Sequence, residues 1–285
     1  MAPFLAAHNN QLLLFMMQTA PIGIFDSGVG GLSVYQKIRE LLPCEDLLYV
    51  ADSLHAPYGS KSADFVRARS ETITRFLLQQ GAKAIVVACN TATAVSVASL
   101  RSQFAMPIIG IEPAVKPAAE ESSSKVIGVL ATAGTLVSDK FTRLIEQHGH
   151  QVTVINQPCD GLAEQVEKGA LSSPETEALL RRYLFPLLEQ GADTIALGCT
   201  HYPFLMECIQ NLVGPNIRVI ETGTAVANEL KRQLHAESLL SPKPSEGVSR
   251  FWSSNAGSSG SCHQEIMSKL LGSEISVACL PEALN

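Results

Sequence analysis

Cys89 and Cys199 each close a short apolar run, and each is followed by small polar residues: Ala88-Cys89-Asn90-Thr91 in one place, Gly198-Cys199-Thr200-His201 in the other. A thiol so placed can serve as an acid or, once ionised, as a base or nucleophile. A helix beginning just beyond it would lower its pKa through the helix dipole and free amides. A lone cysteine after an apolar strand is more often a small buried hydrophobe. Two at matching positions shift the balance towards chemistry, and here the approaches match as well. Leu77-Leu78-Gln79-Gln80-Gly81-Ala82 leads to the first, Leu187-Leu188-Glu189-Gln190-Gly191-Ala192 to the second. Upstream, Ile22-Gly23-Ile24-Phe25-Asp26-Ser27-Gly28 is echoed by Ile127-Gly128-Val129-Leu130-Ala131-Thr132-Ala133, and residues 108–112 by 217–221. Thiols at equivalent strand ends of a duplicated unit can face each other across the cleft between the halves, an arrangement suited to both faces of one carbon.

The elements that must position them follow a βαβ rhythm. Short Ile/Val-rich runs at 22–25, 47–50, 84–88 and 108–111 alternate with helix-like stretches such as 63–80, the pattern of a buried parallel sheet. The rhythm restarts at 126–130 and continues through 151–155, 194–197 and 218–220, with a helix over 175–190. This predicts an α/β protein of two similar doubly wound parallel-sheet domains related by pseudo-duplication, with the site in the cleft between them. The predicted division is an N-terminal extension over 1–20, a first domain of 21–113 plus 225–285, and a second of 114–224. Gly81 and Gly191 read as helix stops in left-handed geometry. Segments 120–124, 241–247 and 253–261 read as loops, and the apolar pattern at 266–271 as a tail packing back on a domain.

A chain of 285 residues, 46% of them hydrophobic, can bury one large or two ordinary cores. Its formal charge of -6 argues against a nucleic-acid or anionic-membrane surface. Seven cysteines without CxxC spacing suit a reducing cytoplasm better than a disulfide framework. The apolar run at 12–17 is too short to span a bilayer.

Further groups gather around the thiols. Asp26-Ser27-Gly28-Val29-Gly30-Gly31 follows a strand and precedes a helix, so it can hold an anion on its amides or be a plain turn capped by its Asp. It lacks both the GxGxxG spacing and the P-loop lysine. Asn90, Thr91 and Thr200 beside the thiols suit a substrate with two carboxylates and an ammonium, and would equally cap helices. Pro57-Tyr58-Gly59 is a turn with a half-buried ring or a lip over a ligand. Glu164 and Glu167 share one helix face, as solvated charges or as acids near His201. No clustered spacing suggests a metal.

Taken in order, Asp26-Ser27-Gly28-Val29-Gly30-Gly31, Pro57-Tyr58-Gly59, Cys89-Asn90-Thr91-Ala92 and Gly198-Cys199-Thr200-His201 closely resemble the signatures of bacterial glutamate racemase, in the aspartate/glutamate racemase superfamily. The likeness covers roughly residues 22 to 225. It implies cofactor-independent two-base racemisation of L-glutamate to D-glutamate for peptidoglycan precursor synthesis, hence cell-wall biogenesis and cell shape. It further implies that Cys89 and Cys199 are the paired acid and base, and that Asp26, Glu167 and His201 assist, with Glu164 the second choice for the helper glutamate. Asp26, Ser27, Tyr58, Gly59, Asn90, Thr91, Thr200 and His201 would bind substrate. The extension and Pro113-Ala114-Val115-Lys116-Pro117-Ala118 resemble the subgroup activated by UDP-N-acetylmuramoyl-L-alanine, with Arg101, Gly110 and Lys116 as its contacts; the two cations read equally as exposed surface charges. The expected partners are L- and D-glutamate and this activator, with no cofactor, no metal, no nucleic acid and no membrane, in a monomer or homodimer. Within the superfamily, aspartate, a hydantoin or a malonate is the alternative substrate, and outside it a non-catalytic amino-acid-binding module.

Overall fold

The computed structural model describes residues 14–255, 261–281 and 284. Residues 1–13 of the expected extension and 256–260 of the expected loop lie outside the described residues. Two sheets contain every described strand. The first is built from β1 (Ile22–Asp26), β2 (Leu47–Ala51), β3 (Ala84–Val87) and β4 (Ile108–Gly110). The second holds β5 (Val126–Ala131), β6 (Thr153–Pro158), β7 (Thr194–Gly198) and β8 (Arg218–Ile220). Two C-terminal strands, β9 (Ser249–Ser253) and β10 (Val277–Cys279), join the first. The orders are β10-β9-β2-β1-β3-β4 and β6-β5-β7-β8, with parallel pairing throughout.

The duplication is therefore one of topology. The inner order β2-β1-β3-β4 recurs as β6-β5-β7-β8, and equivalent residues pair alike: Ile22 with Ala84, Ile127 with Thr194. β1, β2 and β7 are buried along their whole length, as continuous apolar runs in a sheet covered on both faces must be. The helices Ala63–Gln79 and Pro174–Glu189 end in the same way. Gly81 and Gly191 adopt φ of +88° and +86°, and the amides of Ala82 and Ala192 reach back to the carbonyls of Leu77 and Leu187 at 3.1 Å, a Schellman closure in each half.

Two expectations are corrected. At the ends of the expected loop 253–261, Ser253 is the last residue of β9, which pairs with β2, and Ser261 opens the helix Ser261–Leu271. In the segment 120–124, Glu120 and Glu121 end the helix Val115–Glu121, and Ser122 is buried. Asp193 organises this stretch by accepting from Ser122 Oγ at 2.6 Å and from the Ser123 and Ser124 amides at 2.8 and 2.7 Å. Burial opposes its charge, but these donors lower the Asp193 carboxyl to about 2.

One apolar cluster joins the sheets, running from Ile24 and Tyr49 to Leu130 and Leu197 through Leu162 and Val166. A buried ion pair links distant segments. Lys83 Nζ stands 2.5 Å from Glu45 Oε2 with both side chains 3% exposed; Lys83 also donates to the Gln18 carbonyl, and Glu45 accepts from the Ser241 amide at 2.8 Å. Lys83→Met should leave an uncompensated buried carboxylate and cost about 3–5 kcal/mol, read by urea unfolding. A loss below about 1 kcal/mol, the worth of a surface pair, would contradict this.

Candidate active site

β1, β3 and β7 end at one place. Cys89 follows β3, Cys199 follows β7, and both thiols line a narrow cavity between the sheets, with Ser27, Tyr58, Gly59, Asn90, Thr91, Thr200 and His201. The cavity is shut in: Cys89 is 5% exposed, Cys199 8%, His201 2%.

The surroundings of the two thiols differ. Cys89 caps the helix Asn90–Gln103, its sulfur accepting from the Ala92 amide at 3.4 Å, and it lies 3.8 Å from Ser27 Oγ. The expected lowering by the helix start does not prevail. Burial, then the nearby Asp26 carboxylate, push the Cys89 thiol well above its ordinary value, and the Ala92 amide offsets only part of this. Cys199 departs from the expected helix start: a 3-10 turn, Tyr202–Leu205, comes next, with His201 at its cap. His201 Nδ1 lies 3.6 Å from Cys199 Sγ, and Nε2 lies 2.6 Å from Glu167 Oε1. Burial works against the imidazolium, but the Cys199 and Glu167 contacts together outweigh it and hold the His201 pKa well above the usual histidine range.

Asp26 and Glu167 stand behind the lining. Asp26 accepts from the Gly31 amide at 2.7 Å, from Thr200 Oγ1 at 3.5 Å and from Ser27 Oγ at 3.3 Å; burial raises its carboxyl pKa. Glu167 lies on the helix Leu162–Glu167, across the cleft from the glycine loop, and accepts from the Val29 amide at 2.7 Å. The loop thus does hold a carboxylate, the protein's own. This close approach requires glycine: a Cβ on Gly28 would overlap the Glu167 carboxylate, and one on Gly30 the His201 ring. Glu164 sits one turn earlier on the same helix, half-buried.

Tyr58 is fully buried rather than half-buried, and its hydroxyl donates to Asp52 Oδ2 at 2.5 Å, so it presents ring and backbone to the cavity. Asn90 Nδ2 is a buried donor without a partner, beside the thiols. The sequence reading missed Thr132 and Thr135. Thr91 Oγ1 lies 2.9 Å from Thr132 Oγ1 and 3.2 Å from Thr135 Oγ1, bridging the sheets. Thr132 also lines the cavity, and the repeat carried its signal, because it occupies the place of Ser27. Tyr49, also missed, donates to the Gly28 carbonyl at 2.8 Å and braces the loop.

Arg101, Gly110 and Lys116 lie away from this cavity. Arg101 donates through Nε and Nη2 to the Ile108 carbonyl at 2.9 and 2.7 Å, while bordering a surface groove of about 710 Å³ with Lys61, Arg67, Lys140 and Arg143. Gly110 packs on Thr93, and Lys116 is exposed. Among the described residues, no group of three or more His, Cys, Asp or Glu side chains is arranged to hold a metal ion.

A duplicated parallel α/β fold with paired thiols in its cleft is the class of protein that these features define. The chain belongs to the Asp/Glu/Hydantoin racemase family, whose model matches residues 22–230. It is 56% identical to the glutamate racemase of Methylococcus capsulatus over 234 residues, 82% of this chain and 86% of that one. The crystal structure of a glutamate racemase isoform from Bacillus anthracis superposes with a TM-score of 0.83 at 32% identity, covering 94% of this chain and 100% of that chain. Escherichia coli glutamate racemase, in complex with L-glutamate and the activator UDP-MurNAc-Ala, gives 0.80 at 30% identity, covering 92% and 98%.

Proposed function

We propose that this chain interconverts L- and D-glutamate by two-base proton transfer without a cofactor, the D-glutamate serving peptidoglycan precursor synthesis in the cytoplasm. The observation that supports the reading is the convergence of Cys89 and Cys199, from equivalent strand ends of two sheets, on one closed cavity. The α-proton is weakly acidic, so one sulfur must start as thiolate and the other as thiol, on opposite faces of Cα. Cys199 lifts the proton from L-glutamate while Cys89 delivers one to the other face, and the roles exchange for D-glutamate. Asp26 serves the Cys89 side through Ser27. His201 and Glu167 serve Cys199, an imidazolium stabilising the thiolate.

Charge moving onto the α-carboxylate needs fixed donors. The unpaired Asn90 Nδ2 is suited to this, as a buried donor that otherwise forfeits its hydrogen bond. The Thr91 and Thr200 hydroxyls and the amides after each cysteine add further donors. The proposed domains, 21–113 with 225–285 and 114–224, close over the substrate and exclude water. For the activator, Arg101, Gly110 and Lys116 remain the proposed contacts, and the cations of the groove beside Arg101 suit its phosphates. Among the described residues no helix is long and apolar enough to cross a membrane.

Circular dichroism of L- and D-glutamate in D₂O, with and without UDP-N-acetylmuramoyl-L-alanine, tests this. The expected result is decay of the signal from both enantiomers with α-deuteration. Exchange with aspartate but not glutamate would move the substrate assignment, and no exchange with either would sink the racemase reading.

A further inference from the structure

The loop between β2 and the helix Ala63–Gln79 supplies Pro57, Tyr58 and Gly59 to the cavity wall. Its tip is keyed against the second sheet. A Cβ on Gly59 would stand 2.6 Å from Thr132 Cβ, and one on Gly134 2.9 Å from the Gly59 carbonyl oxygen. A small shift of this lip therefore alters the width available between the thiols' walls.

The lip is held from within by a buried ion pair. Asp52 follows β2 directly, and its amide donates to the Asp26 carbonyl at 3.0 Å, so it is fixed to the strand end that carries the site. Its carboxylate takes the Tyr58 hydroxyl at 2.5 Å and Arg69 in two-pronged geometry, Nε to Oδ2 at 2.9 Å and Nη2 to Oδ1 at 2.6 Å. The Asp52 side chain is 0% exposed and that of Arg69 10%. Arg69 Nη1 donates to the Leu284 carbonyl. A buried ion pair contributes little stability relative to apolar residues of the same shape, whereas a bidentate guanidinium fixes direction sharply. Its place beside a cavity lip points to geometry as its purpose.

We infer that Asp52, with Arg69 as its counter-ion, is a positioning residue: it acts through the Tyr58 hydroxyl to set the Pro57-Tyr58-Gly59 lip, and with it the fit of the substrate. The inference rests on the racemase reading of the cavity. Asp52 touches neither thiol nor, on this account, substrate.

Tyr58→Phe is the cleanest test, since it keeps the ring and the ion pair and removes one hydroxyl. KM for both enantiomers should rise about tenfold, the size of one charge-assisted hydrogen bond, with kcat within about threefold. Amide exchange across residues 53–61 should quicken while β1 and β3 stay protected. Asp52→Asn alone strands Arg69, so the partner variant combines Asp52→Asn with Arg69→Gln, which removes both charges together and keeps polar groups at both positions. In the Tyr58→Phe background this pair should raise KM no further, because Asp52 acts through that hydroxyl. Unchanged exchange at 53–61, or faster exchange with KM unmoved, overturns the inference. A wild-type chain that leaves glutamate untouched counts against the racemase reading instead, and the exchange comparison still decides the role of Asp52.

Discussion

Cys89→Ser and Cys199→Ser are each expected to lower racemisation by about 10²- to 10⁴-fold, the usual contribution of a positioned acid or base. Serine preserves size but is a far weaker acid than a thiol, so the variant loses a proton donor and acceptor rather than a packing unit. The two variants should then differ in a way that a general loss of structure would not produce. With Cys199 intact, Cys89→Ser should still exchange the α-proton of L-glutamate with D₂O, returning it to the same face. Cys199→Ser should do the same for D-glutamate. Proton NMR of each enantiomer in D₂O reads this directly. Because the two enantiomers are equally stable, kcat/KM must stay equal in the two directions, so the exchange experiment and not the rate ratio carries the assignment. Near-normal racemisation by both variants would remove the two-base mechanism.

The fold was legible because its repetition is written into local patterns. The short apolar runs of β1, β2, β3, β5 and β7, buried along all or nearly all their length, and the paired glycine stops require no tertiary information. β9 and β10 were not legible in this way. Ser249–Ser253 has two serines at its ends and becomes a strand because β2 offers an open edge, and Val277–Cys279, three residues long, becomes one on the edge that β9 then presents. The thiols and their polar neighbours could be read from position after β3 and β7. The choice between Glu164 and Glu167 could not, since helical spacing puts both on one face. What singles out Glu167 geometrically is the approach of the glycine loop, a contact 138 residues away in sequence. Asp52 and Arg69 were silent for the same reason: nothing local marks a pair that meets only when the helix Ala63–Gln79 packs on the first sheet. Thr132 was legible in principle, as the repeat's counterpart of Ser27.

Gly28→Ala is expected to reduce kcat about a hundredfold, as strongly as losing a general acid–base helper, with a stability loss of about 1–3 kcal/mol from the donors left without the carboxylate. The added methyl would occupy the place of the Glu167 carboxylate, which is held by the Val29 amide at 2.7 Å and by His201 at 2.6 Å. A free side-chain end would swing away at little cost, but this one gives up both bonds when it moves. The variant should therefore copy Glu167→Gln, and combining Gly28→Ala with Glu167→Gln should cost no more than Glu167→Gln alone. Both should also alter the pH profile. The Cys199 and Glu167 contacts together hold the His201 pKa up against burial, so loss of the Glu167 contact lowers it. On the proposed mechanism the protonated imidazole is the form that serves Cys199, and it is lost as pH rises through the His201 pKa. The alkaline limb of kcat/KM should then move to lower pH in both variants. A Gly28→Ala enzyme with the wild-type limb, or a double variant markedly worse than Glu167→Gln, would show that the glycine serves the loop's own backbone and not the placement of Glu167.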